Sequence, residues 1–241
     1  MEQESVTSKC RTVKGVISEL TQEHGSDKAL AIAIHDFVRD EIAFGFTPYF
    51  DAASPATTLK LKVGHCNPQA RLVVALFREA GFEARFQPVT ISDEVLRGAV
   101  SAVPRLSHVF AEVRVDGKWV RLDSYIADPA LRTAAVERLE CEQRVLGYGC
   151  HVSATGKWDG KSDSFSQVAT PDLIEELHEP VSEIEDFYRS DKYLHRGGPL
   201  TFDTMFALGR PLPDLFMTVM NRRLNALRES RPGQLSSQIS R

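Results

Sequence analysis

An α+β fold is predicted for this 241-residue chain, with helical runs followed by an antiparallel sheet. Three observations predict it. Leu30, Ile34, Phe37, Val38 and Ile42 recur at helical spacing. A second helical stripe of Leu72, Ala75, Leu76 and Phe77 follows the turn Gly64-His65-Cys66-Asn67-Pro68. After Gly81 the pattern changes to strand, and His108–Val115 and Lys118–Asp123 flank Asp116-Gly117, a two-residue hairpin signal.

In chain order, residues 1–24 form an N-terminal arm, polar at first, with a short helix over Val13–Leu20. Ser26-Asp27 caps the first long helix, which runs to about Ala43. The aromatic connection Phe44–Phe50 ends it, because Gly45 and Pro48 forbid more helix. Asp51–Val63 reads as loop with a short turn. The cysteine helix spans about 66–80, with Pro68 suited to its first turn and Gly81 as its stop. Phe82–Val89 alternates as a strand that Pro88 places at an end or an edge. The compact core is therefore set at 25–130. A mainly helical C-terminal extension follows over 131–231, with helices expected at 131–146, 171–177, 181–188 and 215–227. A disordered tail closes the chain at 232–241.

Composition excludes several function classes. Lys and Arg total 29 against 33 acidic residues, a net charge of −4, so neither nucleic acid nor an anionic membrane is an expected partner. No apolar run reaches the length of a membrane span. The acidic start Met1-Glu2-Gln3-Glu4 is not a secretory signal. Four scattered cysteines (Cys10, Cys66, Cys141 and Cys150) make no disulfide framework, so the expected location is the reducing cytoplasm. Cys141, Cys150 and His151 lack zinc-ligand spacing, and no metal or cofactor is expected. Oligomeric state is not set by the sequence.

The chemistry centres on Cys66. A thiol at a helix start feels the positive end of the helix dipole, which favours thiolate. The hairpin supplies two partners: with its turn at 116–117, antiparallel pairing brings His108 within a residue or two of the rung of Asp123. Two families of residues now carry a resemblance. Gly64-His65-Cys66 with Ala70, Leu76, Arg78, Gly81 and Ala84-Arg85 resembles the cysteine motif of the transglutaminase-like superfamily. Ser107–Val113, Gly117-Lys118-Trp119 and Leu122-Asp123 resemble its histidine and aspartate motifs, over about residues 28–128. The resemblance implies a papain-like core with the nucleophile helix packed on an antiparallel sheet and a Cys66–His108–Asp123 triad. Phe110 stands where the family often has Trp, and His65 where a Val- or Phe-like residue is typical.

That reading makes the chain a thiol-dependent enzyme acting through a thioester, an amide or peptide hydrolase or an amine acyltransferase. Its substrate is a peptide or a small-molecule amide or ester. The Cys66 backbone N–H is the first oxyanion donor, Tyr49 the second candidate, and His65 and Asn67 candidate substrate contacts. The alternatives are a small-metabolite enzyme with non-hydrolytic chemistry, its C-terminal region closing over the cleft, and a non-catalytic binding module. His195-Arg196-Gly197-Gly198 reads as a plain turn, with a mobile loop over the cleft as the alternative.

Overall fold

The computed structural model describes residues 11–99, 104–168, 173–197, 200–201, 204 and 212–230. Cys10, most of the polar start and the 232–241 tail lie outside them. Helix α1 (Val13–Glu23) begins at Thr12, whose side chain accepts from the Gly15 N–H. It buries Val16 and Ile17 in the main core and packs on the cysteine helix. Helix α2 (Asp27–Glu41) is capped by Ser26 and inserts Leu30, Ala31, Ile34 and Val38. The chain then forms β1 (Ala43–Phe44), a 3-10 turn (Phe50–Ala52), α3 (Pro55–Leu61), β2 (Val63–Gly64) and α4 (Cys66–Glu79). Helix α3 replaces part of the loop with a short turn that the sequence predicts over Asp51–Val63. Its start follows from Ser54, which accepts from the Thr57 N–H, and from Pro55 in the first turn.

The sheet has the order β5-β4-β3-β8, antiparallel throughout, from β3 (Ala84–Ser92), β4 (Arg105–Val115), β5 (Lys118–Leu122) and β8 (Ile174–Leu177). Asp116 and Gly117 have φ of 49° and 76°. Both central residues are thus left-handed, which is the turn that matches strand twist. Helix α4 packs on β4 and β3, and its other sides meet α1, α2 and α3. Its buried residues Leu72, Val73, Leu76 and Phe77 lie at the centre of the core.

Two strand expectations are corrected. β3 continues through Pro88 to Ser92 and lies inside the sheet, between β4 and β8. The Phe86 N–H bonds Val181 O on the β8 side, and Pro88 two residues on faces the same way. There β8 has ended and Pro88 only accepts, from the His178 N–H, so its missing donor leaves no hydrogen bond unmade. Residues 174–177, expected to be helical, form the strand β8 because β3 offers an open edge to pair with. The rest of the extension holds α5 (Pro129–Cys141), the short pair β6 (Leu146–Gly147) and β7 (Cys150–His151), α6 (Ile184–Arg189), the pair β9 (Arg196–Gly197) and β10 (Leu200–Thr201), and α7 (Leu212–Glu229).

Helix α7 sends Met217, Met220 and Leu224 into the main core. Asn221 brackets Phe46, accepting from its N–H at 2.8 Å and donating to its carbonyl at 2.7 Å. Arg228 donates to the Phe44 carbonyl and to the Asp128 carboxylate, each at 2.6 Å. The C-terminal helix thus fixes the aromatic segment 44–46. No helix among the described residues is long and apolar enough to cross a membrane.

Candidate active site

Cys66 opens α4, with His65 as the extended residue before it. The parallel pairing of β1 with β2 sets the approach of that turn, matching Phe44 with Gly64. The fit at Gly64 is tight: a Cβ would lie 3.2–3.3 Å from the Gln69, Pro68 and Thr58 side chains. Gln69, buried, donates to the carbonyls of Gly64 at 2.7 Å and Ile126 at 3.2 Å, tying the turn to the loop after Asp123.

Cys66 and His108 line one small cavity of about 50 Å³. Phe44, Phe46, Phe50, Ile91, Val95 and Leu106 line it as well. His108 Nε2 faces Asp123 Oδ2 at 3.6 Å, longer than a hydrogen bond, and neither ring nitrogen has a hydrogen-bond partner among the described residues. The hairpin register explains the approach. Ala111 pairs with Leu122, so Phe110 is level with Asp123 and His108 lies two residues along the strand on the same face.

The Asp123 carboxylate is fully buried and held by backbone. The N–H of Ser166 donates to it, that of Gln167 reaches both oxygens at 3.3 Å, and that of Val168 donates at 3.0 Å. Ser166 Oγ also donates to the Asp123 carbonyl at 3.0 Å. Three peptide dipoles thus stabilise its negative charge.

The Cys66 thiol is driven up, opposite to the expectation from the helix dipole. Burial is the main cause, and the Asp51 carboxylate adds to it. Backbone N–H groups of Asn67 and Val109 act the other way and are outweighed. The resting sulfur is therefore a thiol, and it donates to Asn67 Oδ1 at 3.4 Å.

Asp51 is at the centre of a second buried cluster at the same cavity. Its Oδ1 accepts from His65 Nε2 at 2.6 Å and its Oδ2 from His195 Nδ1 at 2.6 Å. The Tyr193 hydroxyl donates to Oδ2 as well. His65 and His195 both line the cavity that Cys66 lines. Burial would raise the Asp51 carboxyl, but His195 and then His65 hold it well below the usual carboxylate range. The segment carrying Tyr193 and His195 is fastened beside His108, because the Leu194 N–H donates to Ser107 Oγ at 2.8 Å. The nitrogens that face Asp51 are occupied by those bonds. Among the described residues no cluster of three His, Cys, Asp or Glu side chains is arranged to hold a metal ion.

The other expected site residues fall differently. Tyr49 is 49% exposed and does not line the cavity; the 3-10 turn after it turns Phe50 inward instead. Asn67 is fully buried beside Cys66 and off the cavity wall. His65, a candidate substrate contact, lines the cavity and is a member of the Asp51 cluster. Asp51, Tyr193, His195 and the amides of 166–168 were not found from sequence. The one local signal was His65 next to Cys66; the rest come together only in the fold.

Comparison with known proteins adds the family. Residues 14–124 match the family description "Transglutaminase-like superfamily". No curated protein matches the chain. Among solved structures, a Cytophaga hutchinsonii protein titled a candidate cysteine protease is 18% identical, with TM-score 0.40 over 48% of this chain and 38% of that one. A candidate protease from Parabacteroides distasonis is 15% identical, with TM-score 0.32 over 50% and 24%. A structure titled a TGase is 15% identical, with TM-score 0.35 over 49% and 34%. The chain thus spans well under half the length of these structures. The similarity to the transglutaminase-like superfamily covers residues 14–124, just under half of this chain.

Proposed function

We propose that the protein is a thiol-dependent acyl-group enzyme in which Cys66 is the nucleophile, His108 the proton acceptor and Asp123 its positioning carboxylate. One observation carries the reading: Cys66 and His108 line the same small cavity, and His108 directs Nε2 at a carboxylate held by three backbone N–H groups. With Nε2 toward Asp123, Nδ1 is the nitrogen left for the thiol proton. Since burial keeps the sulfur protonated at rest, His108 takes that proton as the sulfur attacks the acyl carbon. The carbonyl becomes a tetrahedral oxyanion, to which the Cys66 N–H at the start of α4 donates. The intermediate collapses, the leaving group departs with the proton from His108, and a thioester remains. Water or an amine, deprotonated by His108, then releases the acyl group as acid or amide.

A second reading concerns substrate size. A cavity of about 50 Å³ favours a small acyl group over a peptide chain threaded past Cys66. The test is single-turnover reaction with p-nitrophenyl acetate, followed by peptide mass spectrometry. A burst of p-nitrophenol with an acetyl group on Cys66, absent from a folded Cys66→Ala variant, is expected. An unchanged burst in that variant overturns the nucleophile assignment.

A further inference from the structure

We propose that His65 Nδ1 accepts a hydrogen bond from the substrate in the Cys66 cavity, and that the acyl group carries a neutral or cationic O–H or N–H donor beside its reacting carbon. The inference rests on Cys66 being the reactive thiol and goes on to name the class of substrate, an α-hydroxy or α-amino acyl derivative.

An ionised carboxylate only accepts hydrogen bonds, so His65 Nε2, 2.6 Å from Asp51 Oδ1, carries its proton toward Asp51. In the neutral ring the other nitrogen is then an acceptor. His65 is 3% exposed, yet its Nδ1 has no hydrogen-bond partner among the described residues. The start of α4 explains why. A residue in the place of His65 can accept from the N–H of the second or third helical residue, and His65 makes no such bond. The second residue, Asn67, gives its N–H to the Cys66 sulfur, and the third is Pro68, which has none. A buried acceptor left bare is unfavourable, and a ligand donor that reaches it removes that cost.

The surroundings place that donor on the acyl group and select its charge. His65 directly precedes Cys66, and both line the same cavity of about 50 Å³. In so small a space, a group paired with His65 lies within a few atoms of the carbon that the sulfur attacks. Phe46 stacks on the His65 ring at 5.2 Å and Phe50 lies 4.7 Å from it, an apolar setting that strengthens a hydrogen bond. The bond from Nε2 to Asp51 polarises the ring and makes Nδ1 a better acceptor. Asp51 also acts against a negative charge on Cys66, so an anionic group is disfavoured beside it and the donor is neutral or cationic. A neighbouring cavity of about 480 Å³ shares Ile91, Val95 and Gln167 with this one and is large enough for the remainder of a small metabolite.

The test compares acylation of Cys66 by p-nitrophenyl glycolate and by p-nitrophenyl propionate, in which a hydroxyl replaces a methyl group of similar size. The same pair of esters on N-acetylcysteinamide gives a reference ratio that removes the hydroxyl's own effect on ester reactivity. Peptide mass spectrometry follows the acyl group on Cys66 alone. The glycolyl-to-propionyl rate ratio at Cys66 is expected to exceed the reference about tenfold, since the methyl group would leave Nδ1 bare. In His65→Phe, which keeps an aromatic ring beside Phe46 and Phe50 but has no acceptor, the ratio should fall to the reference. A wild-type ratio at or below the reference overturns the proposal. So does a preference that survives in folded His65→Phe, since another acceptor then provides it. Should that variant not fold, nitrogen NMR on the Cys66→Ala protein decides. The His65 Nδ1 resonance should be that of an unprotonated nitrogen and should move with methyl glycolate but not with methyl propionate. A protonated Nδ1, or no movement, overturns the proposal. If wild-type Cys66 is acylated by neither ester, it is the nucleophile assignment itself that fails.

Discussion

Two carboxylate–imidazole arrangements meet at Cys66, and they are built in opposite ways. Asp123 is held by main chain, through the N–H groups of residues 166–168, and its imidazole stands off at 3.6 Å. Asp51 is held by side chains, with two imidazoles at 2.6 Å each and the Tyr193 hydroxyl. Where peptide dipoles balance the carboxylate, the imidazole is left without fixed hydrogen bonds and is available to take a proton. Where imidazoles do the balancing, they are locked in place. The first arrangement suits proton transfer; the second suits holding charge still.

Four substitutions or conditions would break this contrast or sharpen it. The largest effect is expected for His108→Gln, which should lower p-nitrophenyl acetate turnover by about 10²–10⁴-fold, with thermal unfolding close to wild type. A midpoint drop as large as the rate loss implies would make His108 structural instead. Asp51→Asn should cost about 3 kcal/mol in urea unfolding, because it leaves two buried imidazoles facing a neutral group. A change under about 0.5 kcal/mol would show that the cluster contributes little to folding.

The pH dependence follows from the sign of the Asp51 shift. Its folded-state carboxyl lies below its unfolded value of about 4. Its stabilisation is therefore present above that pH and lost as pH falls through the folded value. Wild type should lose more unfolding free energy on acidification below about pH 4 than Asp51→Asn does, and parallel curves would contradict this. The smallest effect belongs to Tyr193→Phe, expected at about 1 kcal/mol for one hydrogen bond to a charged group that keeps two other donors. Thermal scans of that variant beside Asp51→Asn would rank the two.

What could be read from sequence was local. Ser26 as a cap, the Asp116-Gly117 turn and the helix after Cys66 each depend on residues a few positions apart, and each stands in the fold. The approach of His108 to Asp123 was legible for the same reason, since a two-residue turn fixes the register on both sides. Tertiary pairing overrode the local reading at Pro88, where β8 ends and no donor is called for, and at 174–177, where an open sheet edge decides between helix and strand. The Asp51 cluster has a single local sign, His65 beside Cys66. Asp51 and His195 are 144 positions apart, and His195 read as part of a glycine turn.

The amides of residues 166–168 lie beyond the 14–124 family segment, and so do Tyr193 and His195. A chain cut at 124 would carry Cys66, His108 and Asp123 in full while stripping Asp123 of its donors and Asp51 of two of its three. Removing everything from about residue 165, which from sequence would be expected to affect a lid, removes the same donors. The three residues proposed as a triad are therefore not a portable cassette. Grafting the family segment onto another scaffold would transfer the parts of a reaction centre without the wiring that sets their charge.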